Sequence, residues 1–197
     1  MPKIVDHEAR RMRLVEAVWS LAVRGGLEQV SLRKVAEEAG VSMGQVQHYY
    51  SSMQALIRDA LDRAVQAVNA TIENAVTAAG TTSPEVVLRA GLYALISPAE
   101  ESTRLMRFAL TAVGRAVSDP TTAKVLAPGD DELLTLTAGL IAAAREERGS
   151  VPRGEERTDA DICWSLATSL GLDIALGYRT PEAAERVLDH HIEQVLR

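Results

Sequence analysis

Cysteine and aromatic residues are scarce in this sequence. Cys163 is the only cysteine, so no disulfide can form within the chain, and this usage is typical of proteins in a reducing cytoplasm. The sequence has no run of about eighteen apolar residues, which excludes a membrane-spanning helix. Charged residues interrupt the N-terminal segment, so we expect no signal peptide. These absences predict a cytoplasmic protein with no membrane partner.

Motifs of enzyme chemistry and metal binding are missing as well. The sequence contains no H-E-x-x-H, C-x-x-C or G-x-S-x-G motif and no Gly-rich phosphate loop. His190 and His191 are adjacent, so on a helix they point about 100° apart and cannot easily share one metal ion. Cys163 lies in an apolar context typical of an inert core residue. We therefore predict a protein that is not an enzyme and uses no metal and no cofactor.

Helical periodicity, by contrast, extends through the whole chain. Hydrophobic residues make up 47% of the 197 residues, which is enough to bury a sizeable core. Proline follows Ser83, Ser97 and Thr180, and such pairs are typical of helix starts. No segment shows the two-residue alternation of a strand. The sequence predicts an all-α fold, with helices over residues 6–24, 51–79, 99–118, 130–148, 158–177 and 181–197, another that begins at Pro84, and a shorter pair.

The shorter pair lies in residues 31–50 and has the pattern of two helices joined by a tight turn. Ser31 is a good N-cap for the first helix, and Gly40 ends it because glycine adopts the left-handed conformation cheaply. Ser42 caps the second helix, with Gln45 in capping-box position. This arrangement is typical of a helix-turn-helix, although an ordinary helical hairpin has the same spacing.

The exposed face of the second helix distinguishes these two interpretations. It carries neutral polar side chains and no carboxylate, whereas an ordinary solvated face mixes acids and bases. Gly44 would let the helix backbone approach DNA closely. In a helix-turn-helix the N-terminal residues of the second helix contact base edges in the major groove. The residues expected to bind DNA are Ser31, Arg33, Ser42, Met43, Gly44, Gln45, Gln47, His48 and Tyr49.

Charge is distributed unevenly along the chain. Residues 1–50 hold seven basic and six acidic residues, a net of +1, whereas the remaining 147 residues carry a net of −7. Arg10, Arg11 and Arg13 cluster near the start of the first helix, where they form either a solvated face or contacts to phosphates. Because the basic excess is small, affinity for DNA must depend on positioned contacts rather than on a broad positive field.

Residues 7–60 resemble the tetracycline-repressor-type (TetR) family of bacterial transcription regulators. The matching motifs are Gly26-Leu27, Val30-Ser31-Leu32, Val35-Ala36, Ala39-Gly40-Val41-Ser42, Val46-Gln47-His48-Tyr49-Tyr50 and Ala55-Leu56. The resemblance implies a three-helix DNA-binding domain over residues 1–50 and a helical ligand-binding and dimerisation domain over residues 51–197. It further implies a homodimeric repressor that binds double-stranded DNA at a palindromic operator and responds to a small-molecule effector. Release by the effector is the expected response, although the sequence is also compatible with tighter binding.

One residue departs from the family pattern. Many members carry a lysine at the start of the fourth helix that touches a phosphate, where this chain has Met53. Met53 and the weak basic charge support an alternative, namely a helical interaction or scaffold protein whose helix-turn-helix does not bind DNA.

The final two helices carry apolar residues on more than one side. One stripe can cover the core of the monomer, and the second then requires a partner. In the family that this chain resembles, the last two helices form the dimer interface, so the resemblance implies the same role here. The expected interface residues are Ile162, Leu166, Leu170, Ile174, Leu188 and Ile192.

The few aromatic side chains of the second domain have two interpretations. Each one singly is expected in the core, but together they could line an apolar pocket between helices, beside the long fourth helix. Asp173 lies in the apolar run 170–176, where it could orient a ligand or face the dimer axis, and Asn69 raises the same question on the fourth helix. The expected pocket residues are Asn69, Tyr93, Met106, Phe108, Trp164 and Asp173.

Overall fold

In a computed structural model of the chain, residues 7–126, 131–151 and 153–197 are described, and all regular structure within these ranges is helical. This confirms the predicted all-α fold. Residues 6 and 130, the expected starts of two helices, lie outside the described residues. The helices are α1 (His7–Gly25), α2 (Leu32–Ala39), α3 (Met43–Tyr49), α4 (Met53–Ala79), α5 (Pro84–Leu95), α6 (Glu100–Ala116), α7 (Pro120–Leu126), α8 (Asp131–Glu147), α9 (Glu156–Ala175) and α10 (Pro181–Val195), with a short 3-10 turn at Leu27–Gln29.

The helices form two compact units. The first comprises Met1–Gln66 with Arg107–Ala127, and the second comprises Ala67–Met106 with Pro128–Arg197. The expected domain boundary at residue 50 therefore falls inside the first unit. The first unit extends further along the chain because the first half of α4 is buried in it through a stripe of apolar side chains: Leu56, Ile57, Ala60, Leu61 and Ala64.

The core of the first unit contains Trp19 of α1. Trp19 is 1% exposed, and its indole Nε1 donates to the carbonyl oxygen of Ala60 at 2.9 Å. The ring of Phe108 from α6 lies 6.1 Å from the Trp19 ring, centroid to centroid, and is fully buried. Phe108, which was expected in a ligand pocket, thus belongs to the core of the first unit.

The core of the second unit consists mainly of apolar side chains from α5, α8, α9 and α10, and Met106 of α6 also belongs to it. Leu170, Leu188 and Ile192 belong to this core and are at most 3% exposed. The sequence predicts these three residues at a dimer interface, and their burial within the protomer corrects that prediction. Because they face the interior of their own protomer, they offer no surface to a partner subunit.

Arg145 of α8 is a fully buried charge in the second unit. Its Nη1 donates to Oε1 of Glu156 and its Nη2 donates to Oδ2 of Asp159, each at 2.7 Å. Its Nε donates to the carbonyl oxygen of Val195 at 2.8 Å. The two carboxylates lie at the start of α9 and the carbonyl lies at the end of α10, so one guanidinium group fixes three helices together.

Helix α9 passes very close to the end of α5 at Gly171. A Cβ atom at this position would lie 2.4 Å from the carbonyl oxygen of Leu95 and 3.3 Å from Cε of Met106. The nearest obstacle is backbone, which cannot rotate away as a flexible side chain can. Only glycine therefore permits this approach.

The close approach predicts opposite effects for two Gly-to-Ala substitutions. Gly171→Ala should lower the free energy of unfolding by about 1–3 kcal/mol, the usual cost of overpacking. Gly139→Ala in α8 is the matched control, because a Cβ there meets nothing within 4 Å and alanine is about 1 kcal/mol more favourable in a helix interior. Urea unfolding of both variants tests this, and equal effects of the same sign would contradict the packing argument.

Removing the buried guanidinium should destabilise the second unit strongly. We expect Arg145→Ala to cost about 3–5 kcal/mol, because it leaves two carboxylates without their countercharge and a carbonyl without its donor. Arg33→Ala provides a control, since Arg33 pairs with Glu37 on the surface, where the two side chains are 86% and 64% exposed. The expected result in urea unfolding is a large loss for Arg145→Ala and none for Arg33→Ala. Similar midpoints for the two variants would show that burial adds nothing to this ion pair.

Candidate nucleic-acid interface

Local hydrogen bonds fix the turn between α2 and α3. Oγ of Ser31 accepts from the backbone N–H of Lys34 at 3.3 Å, and Gly40 ends α2 in the left-handed conformation, with φ 64° and ψ 40°. The Oγ atom of Ser42 accepts from the backbone N–H of Gln45 at 3.2 Å, while Oε1 of Gln45 accepts from the backbone N–H of Ser42 at 3.0 Å. The predicted caps and the capping box are thus confirmed.

One face of α3 is buried and the other is open. Val46 of α3, together with Val35 and Ala39 of α2, is at most 3% exposed, and these side chains belong to the core of the first unit. The opposite face carries no carboxylate, as predicted from the sequence. Its exposed residues are Ser42, Met43, Gly44, Gln45, Gln47 and His48, with Tyr49 half-buried beside them.

Tyr49 is held in place by two histidines. Its hydroxyl lies 3.0 Å from Nδ1 of His7 in the first turn of α1, within hydrogen-bonding distance. The ring of His48 meets the Tyr49 ring edge-on, with centroids 5.2 Å apart. Sequence analysis missed the role of His7, because 42 residues separate it from Tyr49 and no local pattern connects them.

A cleft with arginine side chains adjoins α3. It has a volume of about 200 Å³ and is lined by Arg10 and Arg13 of α1 together with Gly40, Val41, Gln45, Tyr49 and Leu14. Gly40 lies close to this cleft, where a Cβ atom would lie 3.2 Å from Nη2 of Arg13, and its left-handed conformation is what favours glycine here. Both arginines are exposed, and they therefore form part of the same surface as α3.

A chain of polar contacts ties the end of α3 to α4 and α1. The hydroxyl of Tyr50 donates to Asp59, which also accepts from Nε of Arg63 at 3.0 Å. Nη1 of Arg63 in turn donates to Glu8 at 2.5 Å. Burial, followed by the hydrogen bond to Asp59, raises the pKa of Tyr50 above its ordinary value, so this hydroxyl stays protonated and remains a donor.

Two residues assigned to DNA binding have partners within α2. The hydroxyl of Ser31 caps the helix, and Nε of Arg33 donates to Oε1 of Glu37 at 3.1 Å. The Arg33 pair is largely exposed, so the guanidinium can exchange this partner for a phosphate at little cost.

The residues expected in a ligand pocket do not form one common site. Met106 belongs to the core of the second unit, and Tyr93 and Trp164 pack against that core, whereas Asn69 is exposed on α4. Phe108 lies in the other unit. Cavities are lined by residues 54–61 with 115–122, by residues 10–14 with 40–49, and by residues 76–82. None of these three cavities is bordered by a residue expected in the ligand pocket.

Three of the expected pocket residues, Trp164, Asp173 and Tyr93, already have polar partners in the second unit. Nε1 of Trp164 donates to Oγ1 of Thr137 at 2.9 Å, and Asp173 accepts from Nε of Arg179 at 3.1 Å. The hydroxyl of Tyr93 donates to Asp189, and burial together with this hydrogen bond raises the pKa of Tyr93. A ligand that used any of these groups would have to replace an existing contact.

Apolar side chains remain exposed on α9 and around the turn to α10. Ile162 is 46% exposed, and Leu166 and Ile174, the other expected interface residues of α9, are half-buried. The surface also includes Leu176, Tyr178 and Val187, which sequence analysis did not assign.

No group of three or more His, Cys, Asp or Glu side chains among the described residues could hold a metal ion. Cys163 lies in the core, and burial raises the pKa of its thiol to about 11, so the nucleophilic thiolate is scarce near neutral pH. None of the helices in these ranges is long and apolar enough to cross a membrane.

Known proteins share both the sequence motif and the fold. Residues 14–60 match the family model named "Bacterial regulatory proteins, tetR family". The HTH-type transcriptional regulator PksA of Bacillus subtilis (strain 168) is 29% identical over 199 residues, covering 99% of this chain and 94% of PksA. The HTH-type transcriptional repressor KstR of Mycolicibacterium smegmatis is 38% identical over 72 residues, which are 36% of this chain and 35% of KstR. The crystal structure of a transcriptional regulator from Rhodococcus sp. Rha1 has a TM-score of 0.78 at 26% identity, covering 94% of this chain and 95% of that chain.

The chain is all-helical, and its helix-turn-helix is capped and presents an open, polar second helix. These features are typical of helix-turn-helix transcription regulators. The sequence and structure similarities narrow that class. Residues 14–60 match the TetR family of bacterial regulators, and almost the whole chain is similar to helix-turn-helix transcription regulators in sequence and fold.

Proposed function

We propose that the chain is a repressor that binds a palindromic operator as a homodimer and inserts α3 into the major groove. The observation that carries this proposal is the exposed face of α3, which is polar and free of carboxylates, with Arg10 and Arg13 beside it. Amides and hydroxyls can reach base edges, and the nearby guanidinium groups can neutralise phosphates. Two such helices related by a two-fold axis would enter successive grooves about one helical turn apart.

The side chains of α3 would have different roles in this complex. The amide oxygen of Gln45 accepts in the capping box, so its NH₂ group remains to contact DNA. Gln47 is exposed and takes no part in the capping box, so its amide can meet an adenine edge with both a donor and an acceptor. Tyr49 is already oriented by His7 and would lose little side-chain entropy on binding.

The dimer would form through the exposed apolar surface of α9 and its turn to α10. Ile162, Leu166 and Ile174 supply this surface on α9, and Leu176 and Val187 extend it toward α10. Burial of these side chains against a second copy would remove apolar area from water. A two-fold arrangement would make the interface self-complementary.

An effector would be sensed in the second unit. Tyr93 and Trp164 lie half-buried at the edge of its core, where a mostly apolar small molecule could displace them. Such a molecule would weaken operator binding only through a higher affinity for the state that does not bind DNA. We assign the protein a regulatory role in the cytoplasm, with no catalytic activity.

Operator binding should depend on Gln47. Selection of DNA fragments by the purified protein should enrich a palindrome, and Gln47→Ala should weaken binding to it by about 1–3 kcal/mol, the value of a bidentate base contact. Gln66→Ala removes a comparable exposed side chain on α4 and should leave affinity unchanged. Fluorescence anisotropy at fixed salt measures both. If no palindrome is enriched, or if the two variants bind equally, the scaffold alternative suggested by Met53 gains support.

Dimerisation should depend on the exposed surface of α9. Ile162→Asp should give monomers at micromolar concentration, because an interface would bury an unpaired carboxylate. Since Ile162 is 46% exposed in the protomer, the variant should still fold. Val117→Asp places the same charge in the turn just after α6, at a position that is 88% exposed, and this variant should stay dimeric. Light scattering distinguishes monomers from dimers. A dimeric Ile162→Asp variant would show that the interface lies elsewhere.

A further inference from the structure

A cavity of about 140 Å³ lies within the first unit, and none of the expected DNA-binding or pocket residues lines it. A single water molecule needs only about 10–15 Å³, so the cavity can hold a small organic molecule. Residues of α4 line one side, and residues from the end of α6 to the start of α7 line the other: Gln54, Ile57, Arg58, Leu61, Arg115, Asp119, Thr121 and Thr122.

Two residues of α4 make part of this cavity apolar. Ile57 is 4% exposed and Leu61 is 2% exposed, so both side chains are anchored in the core and cannot turn away from a ligand. Aliphatic groups are the natural match for this part of the wall, because contact with them removes apolar surface from water.

Asp119 is the acidic group of the lining, and its hydrogen-bonding capacity is already used. Its carboxylate accepts from Oγ1 of Thr122 at 3.0 Å, from the backbone N–H of Thr121 at 3.0 Å and from Nε of Arg115 at 3.2 Å. The hydrogen bond from Thr122, followed by those from the backbone amides and Arg115, lowers the pKa of Asp119, so it stays ionised. Asp119 therefore shapes the cavity and holds Arg115, whose positive charge offsets its own.

Arg58 supplies the charge that is still available. It is exposed on α4 at the edge of the cavity and forms no ion pair with another described residue. Arg58 and Arg115 against Asp119 give the lining a net charge of +1. A monovalent anion would neutralise this charge, whereas a dianion would bring excess negative charge beside Asp119.

We propose that this cavity binds a small aliphatic monocarboxylate. Its carboxylate would accept two parallel hydrogen bonds from the Arg58 guanidinium, the geometry that arginine favours. Its hydrocarbon part would lie against Ile57 and Leu61, and the Gln54 amide would border the entrance. The site is separate from the effector response proposed for the second unit, and binding to it can be measured without DNA.

Titration of n-butyrate into the full-length protein tests the site. We expect saturable binding in the millimolar range by calorimetry, with backbone amide shifts concentrated in residues 54–61 and 115–122. Arg58→Gln should weaken binding by about tenfold, because it removes the charge-assisted hydrogen bonds and leaves the buried wall intact. Lys124→Gln removes an exposed charge on α7 outside the lining and should change affinity less than twofold.

Two further probes separate the chemistry of the site from general charge effects. n-Butylamine has the same hydrocarbon part with the opposite charge and should not bind, and inorganic phosphate should bind more weakly than butyrate. Absence of saturation in the millimolar range would overturn the proposal. So would equal affinity in Arg58→Gln and Lys124→Gln, amide shifts elsewhere in the chain, or phosphate binding as tight as that of butyrate.

Discussion

The second unit depends on one buried charge. Arg145 is inaccessible to water, and its three hydrogen bonds reach the start of α9 and the end of α10. A buried guanidinium is tolerated only when carboxylates compensate it, so the ends of these helices must stay in place around it. The apolar side chains of α5, α8, α9 and α10 then pack between helix ends that the hydrogen bonds of Arg145 hold in place. Gly171 is the second constraint, because the approach of α9 to Leu95 leaves no room for a side chain.

The features predicted correctly from the sequence are those whose cause is local. The caps at Ser31 and Ser42 and the left-handed Gly40 involve partners within five residues, so the residue types alone carry the information. Helix α7 is also locally determined, since Asp119 caps it just before Pro120. The sequence pattern predicts only that the preceding helix ends at residue 118, directly before this pair. A stop signal and a start signal can coincide, and the sequence pattern does not separate them.

The features missed from the sequence depend on contacts between distant residues. Leu170, Leu188 and Ile192 lie on apolar stripes, but periodicity does not say which of two stripes faces the protomer core. The role of His7 beside Tyr49 requires α1 and α3 to be folded together, over a separation of 42 residues. Phe108 was grouped with Trp164 because both are aromatic, whereas the fold assigns it to the unit that contains Trp19.

Helix α4 links the two binding sites proposed for the first unit. Asp59 accepts from Tyr50, the residue that ends α3, while the preceding residue, Arg58, borders the cavity. Arg63, one turn further on, continues the same chain of contacts to Glu8 at the start of α1. A carboxylate on Arg58 would affect operator binding only if it favoured one position of this helix over another. Where it does, linkage requires operator DNA to change the affinity for the carboxylate by the same factor, so either measurement reports on the coupling between the sites.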